Sequence, residues 1–278
     1  MGLHQWHAES GHSASRDSGA ASPAAAGPLP TAGSRTRSRL LAATAAATTV
    51  AALSILAVGV GSGAQASTKQ SAASTLLRTA VHDALSRSSV HEVETEKAPK
   101  VSGTVITDAG TKQGHQEITH SGGVKAQVVV VGGNAYFSGN QAALIHYFGL
   151  PAAVAAKVGT RWVSVPSSSS GYSTVAGGTS LAAVLGGFDI PGQLKETAPT
   201  QVDGHAVVGI TGKGPVSGST TASVSAIVYV TRSSTPLPLS AVYTFSAGGT
   251  VTLGLSGWGE HLALKAPTNV IPAAQLQK

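Results

Sequence analysis

The spacing of apolar residues changes from a helical to a strand-like period near residue 88. Between residues 71 and 88, apolar side chains recur at every third or fourth position, which predicts one amphipathic helix ending near Ser88. The apolar positions of this helix are Ala73, Leu76, Leu77, Ala80, Val81, Ala84 and Leu85. Beyond the helix, short β-prone runs alternate with Gly, Pro and Asp, so the remaining chain is predicted to be mainly sheet.

The strand-like runs form two blocks. In the first block, residues 125–139 predict a strand, a tight turn at Gly132 and Gly133, and a returning strand. Both faces of the first of these strands are largely apolar towards its end, so we expect both faces to be covered. In the second block, regularly spaced strands include a hairpin signal at Asp203-Gly204.

Short helices are predicted between the two blocks. The segment 141–157 reads as helix interrupted at Pro151, and a further short helix begins at a capping Thr179 or Ser180. The last residues contain two prolines and suit a coil. The order of helix, β meander, helical insertion and β meander predicts the α+β class, with one antiparallel sheet and helices gathered on one face.

The N-terminal residues carry an export signal. Residues 1–39 are rich in Ser, Ala, Gly and Pro and are predicted to be disordered. They are followed by the uncharged stretch 40–60 and an Ala-Gln-Ala site. A positive flank, formed by Arg35, Arg37 and Arg39, completes the three parts of a secretory signal peptide, with cleavage between Ala66 and Ser67.

An uncleaved signal anchor is the alternative. At about 1.5 Å per residue, the stretch 40–60 is long enough to cross roughly 30 Å of hydrocarbon. Cleavage and anchoring both export residues 67–278 as one domain, because the arginines hold the N-terminus inside in either case. The chain is therefore expected in the cell envelope, membrane-anchored through 40–60 or secreted after cleavage.

Composition excludes several classes of protein. Charged residues make up 11% of the chain, against roughly 25% in an average soluble domain, while hydrophobic residues reach 42%. The chain has no Cys, so it has no disulfide framework, no thiolate site and no lipobox cysteine to carry a lipid anchor. The net charge of +6 comes from scattered basic residues without a clustered stripe, so no nucleic-acid partner is predicted.

No constellation of catalytic or metal-binding residues is visible in the sequence. A nucleophile elbow begins at Gly171-Tyr172-Ser173, but Val175 stands where its closing Gly belongs. His115 and His120 lie five residues apart on a presumed strand, which places them on opposite faces. Glu92, Glu94 and Glu96 share one strand face, and we interpret this as a solvated face. We therefore expect no enzyme activity, no metal and no cofactor.

The part of the chain from 71 to 272 resembles the LppX/LprAFG family of actinobacterial cell-envelope lipoproteins, which share a fold with LolA-like lipid carriers. After an amphipathic helix and the SSVHEVE strand, the matching segments are VVVVGGNAYFSGN, GTRWVSVP, QVDGHAVVGIT, AIVYVTRSSTPLPLSAVY and SGWGEHLALKAP, in this order. The family's lipobox Cys is absent, so attachment through an acyl chain cannot occur here.

The resemblance implies a strongly curved antiparallel sheet, a half-barrel, with helices over its concave face and an apolar pocket between them. It implies a lipid-binding or lipid-carrier protein whose partners are the acyl chains of lipids or lipoglycans and the membrane surface. The candidate pocket residues are Leu144, Tyr147, Phe148, Leu150, Phe188, Tyr229, Tyr243 and Trp258. The alternative is an interaction or sensor domain that uses the same fold as a scaffold for other envelope proteins, without lipid transport.

Overall fold

One large curled sheet organises the chain. The computed structural model describes residues 71–216 and 222–277, and the predictions for residues 1–66, including the cleavage site, lie outside this part. Thirteen strands form the sheet, with β13, β6, β5, β4, β3, β2, β1, β12, β11, β10, β9 and β7 side by side and β8 also pairing β9. Every pairing between strands is antiparallel except that of β13 with β6. The α+β class and the open, curled sheet are as predicted.

The strands are β1 (Ser89–Lys97), β2 (Ser102–Gly110), β3 (Gly114–His120), β4 (Val124–Val131), β5 (Asn134–Gly139), β6 (Trp162–Pro166), β7 (Lys195–Glu196), β8 (Thr200–Val202), β9 (His205–Pro215), β10 (Ser223–Thr231), β11 (Pro238–Phe245), β12 (Thr250–Ser256) and β13 (Val270–Pro272). The α-helices are α1 (Ala72–Leu85), α2 (Gln141–His146), α3 (Ala152–Val158), α4 (Tyr172–Ala176) and α5 (Leu181–Gly186), with 3-10 turns at Gly177–Thr179 and Ala273–Gln277.

The two predicted meanders join through their outermost strands. Strands β1–β6 form one meander and β9–β12 the other, and the antiparallel pair of β1 with β12 makes them one sheet. This pair runs from His91 opposite Ser256 to Lys97 opposite Thr250. The first strand of the domain therefore lies at the centre of the sheet, next to a strand from near its C-terminal end.

The helices begin where the sequence supplies capping side chains. Ser71 caps α1, which ends at Leu85 rather than near Ser88, and Leu85 itself is 47% exposed because it lies at the end of the buried face. Of the two capping candidates for α5, Ser180 accepts a hydrogen bond from the backbone N–H of Ala183 at 3.2 Å. Helices α2 and α3 are separated at Pro151, as predicted.

The C-terminal residues were wrongly predicted to be only coil. Residues 257–269 cross the rim of the sheet, where Ser89 Oγ donates to the carbonyl of Glu260 and Gln113 Nε2 donates to that of Leu262, both at 2.5 Å. The chain then adds the parallel strand β13 to β6. The prolines do not prevent this, because β13 lies at an edge and Pro272 is its last residue.

The apolar residues of the concave face form three clusters. The first lies under α1 and α5 and includes Leu77, Leu185 and the inward side chains of β9–β12. The second lies under α2 and α3 and includes Val128 and Val163. The third is small and centres on Val105, Ile118 and Tyr147. The helices therefore cover the concave side in two groups, one at each half of the sheet.

Candidate functional site

Three glutamates of β1 face the concave interior between the covered halves of the sheet. Side chains alternate along a strand, and Glu92, Glu94 and Glu96 lie on the same face as Val90, which belongs to the first apolar cluster. Glu92 is only 8% exposed. The interpretation that the three glutamates lie on a solvated face is therefore wrong. They do share one face of the strand, but this face is the concave side of the sheet and not the solvent side. We call these three residues the acidic row.

Burial raises the pKa of the inner two carboxyls. Desolvation, followed by the neighbouring charge of Glu94, raises the pKa of Glu92 from 4.5 to about 8. Desolvation, followed by the charge of Glu96, raises the pKa of Glu94 from 4.5 to about 7. Near neutral pH, the folded chain therefore holds at least one of these carboxyls protonated.

The carboxylate of Glu92 has no hydrogen-bond or ion-pair partner within residues 71–216 and 222–277. In this part of the chain, the one fully enclosed side-chain nitrogen or oxygen that lacks a partner is Nε of Arg87. The oxygens of Glu92 are therefore not fully enclosed. They keep a small accessible surface.

Polar side chains continue from Glu92 across the sheet. Thr107 of β2 lies opposite Glu92, and Gln116 of β3 lies opposite Thr107. Both are buried, and Gln116 Nε2 donates to Thr107 Oγ1 at 3.2 Å. On the other side, the Tyr243 hydroxyl donates to the carbonyl of Gly187 after α5. Desolvation and then the charges of Asp189, Glu92 and Glu94 raise its pKa, which indicates that Tyr243 lies near the row.

The outer end of the acidic row meets a histidine. His120 of β3 lies across Gly103, where an added Cβ would come within 2.4 Å of the imidazole Cδ2. Because Gly103 lies between Glu96 and His120 in the register, the glycine lets the ring lean across β2. Desolvation lowers the pKa of His120, while the charge of Glu96 acts in the opposite direction.

Tyr147 links this end of the row to the helical insertion. Its ring meets that of His120 edge-on, with 5.8 Å between centroids, and that of His146 at 5.0 Å. Desolvation and the charge of Glu96 raise the pKa of Tyr147 to about 12. The end of α2 is therefore in electrostatic contact with the acidic row.

A pocket of about 180 Å³ opens beside Glu96. Its apolar lining includes Val216, Phe245 and Val251, and Lys97 and Gly248 also line it. Val251 lies directly opposite Glu96 in the pairing of β1 with β12. The pocket thus combines an apolar wall with one carboxylate of the acidic row.

The predicted pocket residues fall into separate groups. Leu144, Phe148 and Leu150 lie in or against the second cluster, and Phe148 stacks on Phe137 with 4.2 Å between centroids. Tyr147 belongs to the third cluster. Phe188, Tyr243 and Trp258 lie in or against the first cluster.

Tyr229 has a different position. Its neighbours Val228 and Val230 are fully buried on the concave side, so Tyr229 points to the convex face and does not line the interior. The structure therefore brings seven of the eight candidates to the concave side but not to one common wall.

Two histidines on the convex face contact carboxylates of β2 and β3. His91 Nδ1 lies 2.7 Å from Asp108 Oδ1, and His115 lies 3.8 Å from the other oxygen of Asp108 and 3.7 Å from Glu117. His115 and His120 lie on opposite faces, as predicted. Among the described residues, no group of three or more His, Asp or Glu is placed to hold a metal ion. The helices described between 71 and 277 include none that is long and apolar enough to span a bilayer.

No protein-family model matches this chain, and no curated protein matches it. Among solved structures, it is similar to lipoprotein LppX from Mycobacterium tuberculosis, at 16% identity over 69% of this chain and 98% of that one, with a TM-score of 0.44. LprF from Mycobacterium bovis is similar at 16% identity over 70% and 96%, with a TM-score of 0.45. A LolA superfamily protein from Nitrosomonas europaea is similar at 10% identity over 69% and 94%, with a TM-score of 0.26. At these identities and TM-scores, the likenesses carry no argument about the family or the function of this chain.

Proposed function

We propose that this chain is an exported, non-enzymatic protein of the cell envelope that holds the acyl chains of a lipid inside its curled sheet. The observation that carries the proposal is the divided interior. The concave face bears separate apolar clusters under two groups of helices, and the buried Glu92, whose carboxylate has no partner among the described residues, lies between them. A core that served stability alone would place an apolar side chain at this position.

The hydrophobic effect supplies enough free energy for such binding without any catalytic residue. Each methylene that leaves water contributes about 0.8 kcal/mol. The pocket of about 180 Å³ beside Glu96 is smaller than the roughly 300–1,000 Å³ of typical small-molecule sites. A long acyl chain therefore requires the space between the first and second apolar clusters to widen.

The helical insertion 141–157 is the element we propose to move. Helices α2 and α3 are joined through Gly149, whose φ is +63°, and Pro151, so the joint between them is a turn rather than continuous helix. Phe148 lies at this joint and is only partly buried. A hinged segment with an apolar underside is the usual construction of a lid.

Two measurements on the purified full-length chain test the function. Native mass spectrometry after expression in a lipid-containing host should show co-purified lipid, and a fluorescent fatty-acyl probe should bind and be displaced by unlabelled lipid. A clean protein mass together with no probe binding would contradict the proposal.

A scaffold for interactions with other envelope proteins is the second candidate. It is favoured by the complete enclosure of Leu144 and Phe188, which are 0% and 1% exposed and pack as ordinary core residues. The absence of both lipid and probe binding, with a stably folded chain, would support this candidate instead.

The export part of the proposal has its own test. Residues 40–60 either remain as a membrane anchor or are removed by cleavage after Ala66. N-terminal sequencing of the exported product distinguishes the two, because a product that begins at Ser67 excludes the anchor and a membrane-bound product that retains Arg39 excludes cleavage.

A further inference from the structure

An apolar row runs beside the acidic row on the concave face. In the pairing of β1 with β12, each glutamate lies opposite an inward apolar side chain of β12. The pairs are Glu92 with Leu255, Glu94 with Leu253, and Glu96 with Val251. Both rows start at the pocket beside Glu96 and extend inward. The acidic row and the apolar row therefore lie side by side.

No cation of the described part of the chain forms an ion pair with Glu92 or Glu94, and none is among the causes of their raised pKa values. Lys97 follows Glu96, is exposed and points to the other face by strand alternation, although it also lines the pocket beside Glu96. His82 of α1, the helix that covers this half of the sheet, is also exposed. The contacts of His91 and His115 with carboxylates lie on the convex face and include none of the three glutamates of the acidic row.

We propose that the interior binds an amphiphile with a cationic, ammonium-type headgroup, which Glu92 and Glu94 hold while its alkyl chain lies along the apolar row. This inference rests on the proposed function and specifies its ligand class. Buried carboxylates are costly unless a charge or a set of hydrogen-bond donors compensates them. An ammonium group supplies both the opposite charge and several N–H donors.

Two features of the site fit this ligand. Glu92 is 92% enclosed yet keeps accessible oxygens without a protein partner, so its carboxylate is available to a group that enters from the interior. Successive side chains on one strand face are about 7 Å apart, which leaves space for a headgroup between Glu92 and Glu94. The geometry points to a site in which the acidic row binds the charged headgroup and the adjacent apolar row contacts the alkyl chain.

Binding of such a ligand must release a proton. Near neutral pH, Glu92 is largely protonated because burial raises its pKa to about 8. An incoming ammonium favours the ionised carboxylate, so the proton of Glu92 passes to the buffer as the ligand binds. The affinity should therefore rise with pH until about pH 8 and then level off, whereas a neutral headgroup should bind with no such dependence.

The other titratable groups around the row do not produce this profile. Tyr243 and Tyr147 have raised pKa values and stay protonated over this pH range. The charge of Asp189 is one of the causes that raise the pKa of Tyr243. Burial lowers the pKa of His120, which moves its titration away from about pH 8, and the charge of the neighbouring His146 acts in the same direction. An aliphatic ammonium, with a pKa near that of lysine at about 10.4, stays charged.

Three probes with the same alkyl chain test the inference on the full-length chain: dodecylammonium, 1-dodecanol and dodecanoate. Titration calorimetry below their aggregation concentrations, in two buffers of different ionisation enthalpy, measures both affinity and proton release. We expect dodecylammonium to bind at least tenfold more tightly than the alcohol and to gain about tenfold or more between about pH 6 and about pH 8. Dodecanoate should bind most weakly.

The variants Glu92→Gln and Glu94→Gln should lose this selectivity while still binding the alcohol. Glu196→Gln, at an exposed edge strand, is the matched control and should behave as the unchanged chain. Equal binding of all three probes without proton release would overturn the inference and leave lipid binding intact. Binding of none of them would overturn lipid binding as well. An ammonium preference that persists in both variants would locate the cation elsewhere and also overturn the inference.

Discussion

Replacing Glu92 by glutamine should stabilise the fold, and the gain should grow with pH. Because the pKa of Glu92 is raised from 4.5 to about 8, the folded state keeps its proton to a higher pH than the unfolded chain does. Ionisation of Glu92 therefore does not reduce the free energy of unfolding below about pH 4.5. It reduces this free energy progressively as the pH rises from about 4.5 to about 8, and the loss is complete above about pH 8. Glutamine has a similar shape but no charge at any pH, so it avoids the loss.

The magnitude follows from the size of the pKa shift. At about 1.4 kcal/mol per pKa unit, the ionised carboxylate costs on the order of 5 kcal/mol above pH 8, but about 1 kcal/mol or less near pH 5. The larger value is comparable to the 5–15 kcal/mol by which a typical domain is stable. Through the ionisation of Glu92, the unchanged chain should lose stability between about pH 5 and about pH 8.

Denaturant unfolding, followed by circular dichroism between about pH 5 and about pH 9, measures the difference in free energy between Glu92→Gln and the unchanged chain. The difference should rise by several kcal/mol across this range. Glu196→Gln removes the same charge from an exposed strand and should give a difference near zero throughout. A flat difference for Glu92→Gln, equal to that of the control, would refute the assignment of Glu92 as a buried carboxyl.

Three further substitutions test other parts of the structure. Gly103→Val places a side chain against the ring of His120, so the melting temperature should fall, whereas a valine tolerated without loss would show that the ring does not cross the glycine. Phe148→Asp should reduce binding of the fluorescent acyl probe more than it reduces stability, because this side chain is only partly buried, and Tyr229→Asp on the convex face should leave binding unchanged. Ser180→Ala removes the N-terminal cap of α5 and should cost about 1 kcal/mol in denaturant unfolding, while an unchanged free energy would argue against the cap.

The sequence was sufficient for the local elements and for the class of fold. Helix α1, the break at Pro151 and the turn at Gly132 and Gly133 follow from local periodicity and backbone preferences, which act over a few residues. The strand β13 was missed because a three-residue edge strand depends on its partner β6 rather than on its own sequence.

The acidic row shows why the site was not predicted. Three glutamates at alternate positions are the usual pattern of an exposed strand face, and of the intervening residues His91, Val93 and Thr95 only Val93 is apolar. Only Val90, in phase with the glutamates, and the apolar row of β12 reveal that this face is internal. The deciding contact is between segments far apart in the chain, which periodicity within β1 does not contain.

The pairing of β1 with β12 has a consequence for how the chain folds. Ser89 and Glu260, which meet beside this pair, are 171 residues apart in sequence, whereas the hairpins within each meander join near neighbours. Closing so long a loop is entropically costly, and contacts of this kind slow folding. We therefore expect each meander to form its hairpins first and β1 to pair with β12 last. Until they pair, β1 and β12 are both unprotected edges, so this interval is when the chain is most exposed to pairing with other copies of itself.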